Sequence, residues 1–123
     1  MKICLAIYKD RITTLLENTC FFRIFEYENT EQELLDAGEI LLSRDCSQTS
    51  RIYALITANI DILICGGLSK TNKILFSNYK IQVFDWICGD TNQVLQAWKD
   101  NNLHNYIMPG CGKSNKSEGK TQK

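Results

Sequence analysis

Three of the six cysteines in this 123-residue chain are followed at once by glycine: Cys65-Gly66, Cys88-Gly89 and Cys111-Gly112. With 6 cysteines and 7 glycines, chance would give about 0.3 such pairs, so the excess calls for a cause. Glycine removes bulk beside the sulfur and lets a backbone or a ligand approach closely. Thiolates are the soft ligands of iron–sulfur and other soft-metal sites. The plainer reading makes each cysteine a small buried hydrophobe at a strand end, with glycine opening the turn. Both readings put the pairs at the ends of strands.

The elements that must position them follow from hydrophobic pattern. Lys2 to Tyr8 reads as a strand buried on both faces, and Cys20 to Tyr27 as a second. Leu34 to Ser43 suits either a helix interrupted by Gly38 or a hairpin partner over Glu39–Leu42. A helix begins near Ser47 or Thr49, with Ile52, Leu55 and Ile56 on one stripe. Asp61 to Cys65 is a short apolar strand ending at Gly66-Gly67, and Ser69 caps a helix through Ser77. Ile81 to Cys88 supplies another strand. Asp90 and Gln93 open a last helix that buries Val94, Leu95 and Trp98.

Three strands followed by helix–strand–helix–strand–helix predict an α/β fold, a five-stranded mixed sheet flanked by helices. Its second half is parallel and its first contains a hairpin. In such sheets ligands gather beyond the carboxyl ends of parallel strands, here Tyr8–Asp10, Cys65–Gly67 and Cys88–Asp90. Cys65 and Cys88 are expected to converge there, with Cys111 returning after the last helix. Gly66, Gly67 and Ser69 would leave free N–H groups at a helix start suited to an anionic cluster, phosphate or carboxylate. Asp90 reads as a cap rather than a ligand. The spacing matches neither a zinc ribbon nor a ferredoxin. His104, the only histidine, sits in a polar run and reads as exposed; Cys4 reads as core, and Cys20 and Cys46 lack a partner motif.

Composition bounds the rest. Forty-four per cent hydrophobic residues and one proline describe a single globular domain. No run approaches the ~18 apolar residues of a membrane span, and the start lacks the parts of a signal peptide, so a cytoplasmic protein with free thiols or thiolate ligands is expected. The zero net charge divides into +3 for a lysine-rich tail, 113–123, and −3 for residues 1–112. An acidic body argues against nucleic acid as a partner, and the apolar-free tail reads as disordered. A nuclease would need several clustered carboxylates, and only Asp10, Asp85 and Asp90 are candidates.

The stretch ANIDILICGGLSKTNKILFSNYKIQVFDWICGDTNQVLQAW, with Met108-Pro109-Gly110-Cys111 after it, resembles the dinitrogenase iron–molybdenum cofactor biosynthesis family (NifX/NafY-like). Ile12 to Glu17 is similar to that family's first-loop V-S-P-x-F-(G/D) stretch. The likeness spans about residues 1–112 and is strongest over 58–112. It implies a ribonuclease-H-like three-layer fold and a non-enzymatic carrier of an iron–sulfur or iron–molybdenum-type cluster. Donor or acceptor proteins for that cluster are the implied partners, and no nucleotide is expected. Better-known members have a histidine in the first loop where this chain has Leu15. Cys65, Cys88 and Cys111 would then be the metal ligands, with Gly66, Gly67, Ser69 and Gly89 shaping the site. The alternative is a redox-responsive or protein-interaction module with no bound cluster.

Overall fold

A computed structural model describes residues 1–28 and 33–109. Ile3 to Ile7 of the strand β1 (Lys2–Tyr8) are buried, because apolar residues occupy both faces of that stretch. Ile3, Leu5 and Ile7 point to one side, Cys4 and Ala6 to the other. A two-residue strand, β2 (Arg11–Ile12), folds back on β1, and a 3₁₀ turn follows at Leu16–Asn18. Next come β3 (Phe21–Glu28), β4 (Glu33–Leu41), α1 (Gln48–Thr57), β5 (Ile62–Ile64), α2 (Lys70–Asn78), β6 (Gln82–Phe84) and α3 (Thr91–Lys99).

The main sheet runs β4-β3-β1-β5-β6, with β2 attached to β1. β1, β5 and β6 are parallel; β3 and β4 are antiparallel to their neighbours. The mixed sheet and the three-layer α/β architecture are as the element order implied. Ile52, Leu55 and Phe76 of α1 and α2 close one face over Cys4, Leu63 and Cys65. Val94, Leu95 and Ala97 of α3 close the other over Ile3, Leu5, Ile62 and Ile64.

Several boundaries differ from expectation for physical reasons. The segment that suited either helix or strand is a nine-residue edge strand, β4, pairing with β3 along its whole length. Gly38, the apparent helix breaker, has φ +123° beside a bulge opposite Ile24 and Phe25, a conformation that suits glycine. The strand expected over Ile81–Cys88 ends at Phe84, because Trp86 adopts a left-handed φ of 60° and turns the chain. Cys88 therefore lies in a loop. Helix starts match well: Ser47, Ser69 and Asp90 each accept hydrogen bonds from the first turn they cap. No described helix is long and apolar enough to cross a membrane. The lysine-rich segment 113–123 lies outside the described residues.

At the carboxyl ends of the parallel strands, the loop after β2 threads between neighbours. Gly67 N–H donates to Thr14 O at 2.7 Å, and Leu16 N–H to Gly67 O at 2.8 Å. A Cβ built on Gly66 would lie 2.2 Å from Thr13 O and 2.4 Å from Thr14 O, both fixed backbone atoms. Gly66→Ala is accordingly expected to destabilise the fold by at least about 3 kcal/mol. Gly38→Ala meets no atom within 4 Å and is expected to cost only the left-handed backbone strain, about 1–2 kcal/mol. Urea denaturation of both variants checks the ranking; a smaller loss at Gly66 than at Gly38 would contradict it.

Candidate functional site

Three loops build the carboxyl edge: 9–15 after β1, 65–69 after β5 and 85–90 after β6. They are knitted by backbone hydrogen bonds rather than by side chains. Ile87 N–H donates to Cys65 O (3.0 Å), Trp86 N–H to Gly66 O (2.8 Å) and Ile12 N–H to Gly89 O (3.0 Å). The segment after α3 joins them, with Cys88 N–H donating to Tyr106 O (2.8 Å) and Met108 N–H to Trp86 O (2.7 Å). Lys9, Asp10 and Trp86 have positive φ at this edge, as Asn59, Lys80 and Asn101 do in turns elsewhere.

Cys65 O accepts from the N–H of Ile87, the residue before Cys88, but the two cysteines differ in burial. Cys65 has no exposed surface and packs with Cys4, Leu63 and Phe76 beneath α2. Burial pushes its thiol well above the ordinary value of 9.0, and the charges of Asp85 and Glu17 push it further the same way. Cys65 is thus a neutral interior thiol. Two-residue strand periodicity explains this, since Leu63 and Cys65 share the face covered by α1 and α2. Cys4 is equally buried, and its thiol is also raised by burial. Cys88, in the loop, is half-buried, as are Cys20 and Cys46. Cys111 lies outside the described residues. Among the described residues, no three His, Cys, Asp or Glu side chains come together as a metal-holding group.

The glycines have a different task from the expected one. Gly66 is pressed against the Thr13–Thr14 backbone, and a Cβ on Gly67 would meet Leu15 at 2.8 Å and the Trp86 ring at 3.0 Å. Gly89 has φ +131° and faces Tyr106. What approaches these glycines closely is the protein's own first loop and aromatic rings. The same loop fills the helix start thought open to an anion. Oε2 of Glu17 accepts from Ser69 N–H (3.1 Å) and from Asn72 Nδ2 (2.9 Å), while Ser69 Oγ accepts from Asn72 N–H (3.2 Å). At the start of α3, Asp90 Oδ2 accepts from Asn92 and Gln93 N–H, and Asp10 O from Thr91 N–H. Asp90 is a cap, as its position indicated. Asp85 is held by Lys73 at 3.0 Å, and His104 is exposed.

Glu17 was not singled out by sequence, because its partners lie 52 and 55 residues away. Arg51 was missed for the same reason. It is buried in α1, and its Nε donates to Thr19 O at 2.7 Å, fixing the loop from the other side.

No family model matches the chain, and no curated protein matches it in sequence. Solved structures do resemble it in fold. The protein PH0822 superposes with a TM-score of 0.75 at 12% identity, covering 84% of this chain and 92% of that one. A provisionally assigned dinitrogenase from Methanocaldococcus jannaschii gives 0.64 at 19% identity, covering 84% and 91%. The apo form of the orange protein from Desulfovibrio gigas gives 0.62 at 14%, covering 91% and 96%. At these identities the likeness establishes a shared fold.

Glu17 offers a test of how the edge is held. Burial pushes its carboxyl up, but the hydrogen bonds from Asn72 and Ser69 outweigh this and leave it below its ordinary 4.5. A depressed folded value means the stabilisation is complete above pH 4.5 and fades as pH falls through the lower folded value. Glu17→Gln should lose up to about 1 kcal/mol at neutral pH. The gap from wild type should close on acidification, as read by urea midpoints across pH. A gap that widens on acidification would contradict the assignment.

Proposed function

We propose that this chain is a non-enzymatic carrier of an iron–sulfur or iron–molybdenum-type cluster, taken from one protein and passed to another. The cluster is cargo held at the carboxyl edge. The observation that carries the reading is the convergence of three loops on that edge, with the half-buried Cys88 thiol among them. The fold likeness to a provisionally assigned dinitrogenase and to a protein solved in an apo form supports it. So does the resemblance of residues 58–112 to the dinitrogenase cofactor biosynthesis family.

We take the ligand set to be narrower than the one that the sequence suggested. Cys88 is the accessible thiol of the edge. Cys111 follows Pro109 by two residues, and Met108 N–H is already bound to Trp86 O, two residues from Cys88. We take these two sulfurs as the cysteine ligands, with other ligands supplied by the cargo or by a partner protein. Cys65 would have to leave the core, abandoning its apolar contacts, to reach a metal. Glu17 at the α2 start would oppose an anionic cargo there, which moves the site toward the 85–90 loop.

The burial of Cys65 favours one other reading: a thiol-responsive or protein-interaction module in which Cys88 is modified and no cluster is carried. Anaerobic reconstitution with iron and sulfide separates the two. Wild type should turn brown and show cluster absorption and paramagnetic signals. Cys88→Ser should lose most of the colour, since a serine oxygen is a poor ligand for soft iron. Cys65→Ser should keep the colour while lowering stability. A wild type that retains no iron would overturn the carrier reading in favour of the module, and equal iron retention by wild type and a Cys88/Cys111 double serine variant would overturn the assignment of these two sulfurs as ligands.

A further inference from the structure

Among the described residues one charged residue is buried, Arg51, with 3% of its surface exposed. It has no counter-ion: the ion pairs among those residues are Met1–Glu26, Arg23–Asp36 and Lys73–Asp85. Buried charges are normally paired, because an unpaired one loses its hydration without compensation. The position sharpens the conflict. Arg51 N–H closes the first turn of the ten-residue helix α1 by donating to Ser47 O at 3.0 Å, and that turn holds no acidic residue. A cation therefore lies at the positive end of a helix dipole, where an anion is favoured. Local conflicts of this kind are expected where a protein binds something.

The guanidinium is fixed at one point and open at the other. Nε donates to Thr19 O at 2.7 Å. Neither Nη has an acceptor among the described residues, and neither is among the closed-off unpaired atoms, which are Thr13 Oγ1, Arg23 Nε and Thr91 Oγ1. The forked end thus reaches solvent while the stem is packed. Helical side chains lean toward the helix N-terminus, which sets the fork over the turn before Arg51. Gln48, three residues earlier on the same face, reaches the same segment: its Nε2 donates to Glu17 O at 2.8 Å. The backbone N–H groups of Gln48 and Thr49 have no acceptor, since Ser47 Oγ takes Ser50 N–H at 3.0 Å. Fork and free N–H groups lie within one helical turn. Nearby carboxylates do not complete the set. That of Glu17 is held by Ser69 and Asn72 at the α2 start, and Asp45, beside Arg44 in the exposed turn before the cap, forms no ion pair.

We propose that the α1 start and the Arg51 fork together bind a phosphate-type oxyanion. Its oxygens accept from the Arg51 Nη groups and from the Gln48 and Thr49 N–H groups, and its charge compensates the buried guanidinium. Several oxygens on one centre suit a fork and a row of backbone donors better than a monatomic anion does. The site is built from α1 and the entry to β3, outside the 9–15, 65–69 and 85–90 loops, and it does not depend on the cluster assignment.

Nitrogen–proton correlation spectra of the full chain, free of iron, provide the test, with inorganic phosphate, methyl phosphate and chloride as probes at matched ionic strength. Phosphate should give saturable shifts at Gln48, Thr49 and the Arg51 Nε–H, and none at Asn92 and Gln93, whose N–H groups Asp90 already caps. Methyl phosphate binding as tightly assigns the phosphoryl group of an ester as ligand; weaker binding assigns the free ion. Arg51→Lys keeps the charge and can still reach Thr19 O but lacks the fork, and should weaken phosphate about tenfold. Proline is tolerated in the first helical turn, so Gln48→Pro should keep α1, remove one donor and weaken phosphate about threefold. Asp45→Asn should leave stability unchanged and tighten phosphate. No saturable shift with phosphate would overturn the proposal, as would shifts that chloride reproduces or equal phosphate affinity in wild type and Arg51→Lys. So would an Asp45→Asn variant whose urea midpoint falls, which would make Asp45 the counter-ion.

Discussion

The contact on which the edge of this molecule depends is between two backbones. The first loop passes so close to Gly66 and Gly67 that Thr13 and Thr14 carbonyls occupy the space a Cβ would need. Hydrogen bonds in both directions, Gly67 to Thr14 and Leu16 to Gly67, then lock the loop in register with the end of β5. That lock carries Glu17 to the start of α2 and sets Leu16 into the core with no exposed surface. It also lets the 85–90 loop lie across Cys65 and Gly66, since Ile87 and Trp86 donate to their carbonyls. Two adjacent glycines thus fix the positions of three loops, and with them every group that the edge presents.

This arrangement separates the cysteines by environment. Cys65 stands one residue before the glycine pair and still belongs to the strand's alternation, so it faces the α1–α2 layer and stays neutral. Cys88 stands after Trp86 has turned the chain out of β6, so it lies outside the packed layers. Two cysteine–glycine pairs with the same local sequence therefore differ in chemistry. One is packing material. The other is a partly exposed thiol held on a loop that backbone hydrogen bonds to Cys65, Gly66 and Tyr106 keep in place.

Much of this was legible in the sequence where local chemistry decides structure. Ser47, Ser69 and Asp90 each announce a helix start, and the apolar runs of β1 and β5 announce buried parallel strands. The interior position of Cys65 was legible too, had the two-residue period been carried one step past Ile64. Length and pairing decided the rest. Gly38 looked like a flaw in a helix because nothing local reveals that it sits beside a bulge facing Ile24. β2 is too short to show a period at all. Glu17 and Arg51 gain their roles only when distant segments meet, Glu17 with Ser69 and Asn72, Arg51 with Thr19. The helix start at Gly66–Ser69 is another such case: the sequence shows the donors but not that Thr14 O accepts from Gly67 and the Glu17 carboxylate from Ser69.

The central claim is that the folded edge presents Cys88 while the same fold withholds Cys65, and native-state alkylation tests it most directly. The folded protein is exposed to iodoacetamide and the modified cysteines are located by mass spectrometry over time. Cys88 should react at a rate set by the folded state, whereas Cys65 should react only as fast as the protein unfolds, with a rate that rises with urea in step with global unfolding. Reaction of Cys65 as fast as Cys88 in the absence of denaturant would contradict the account.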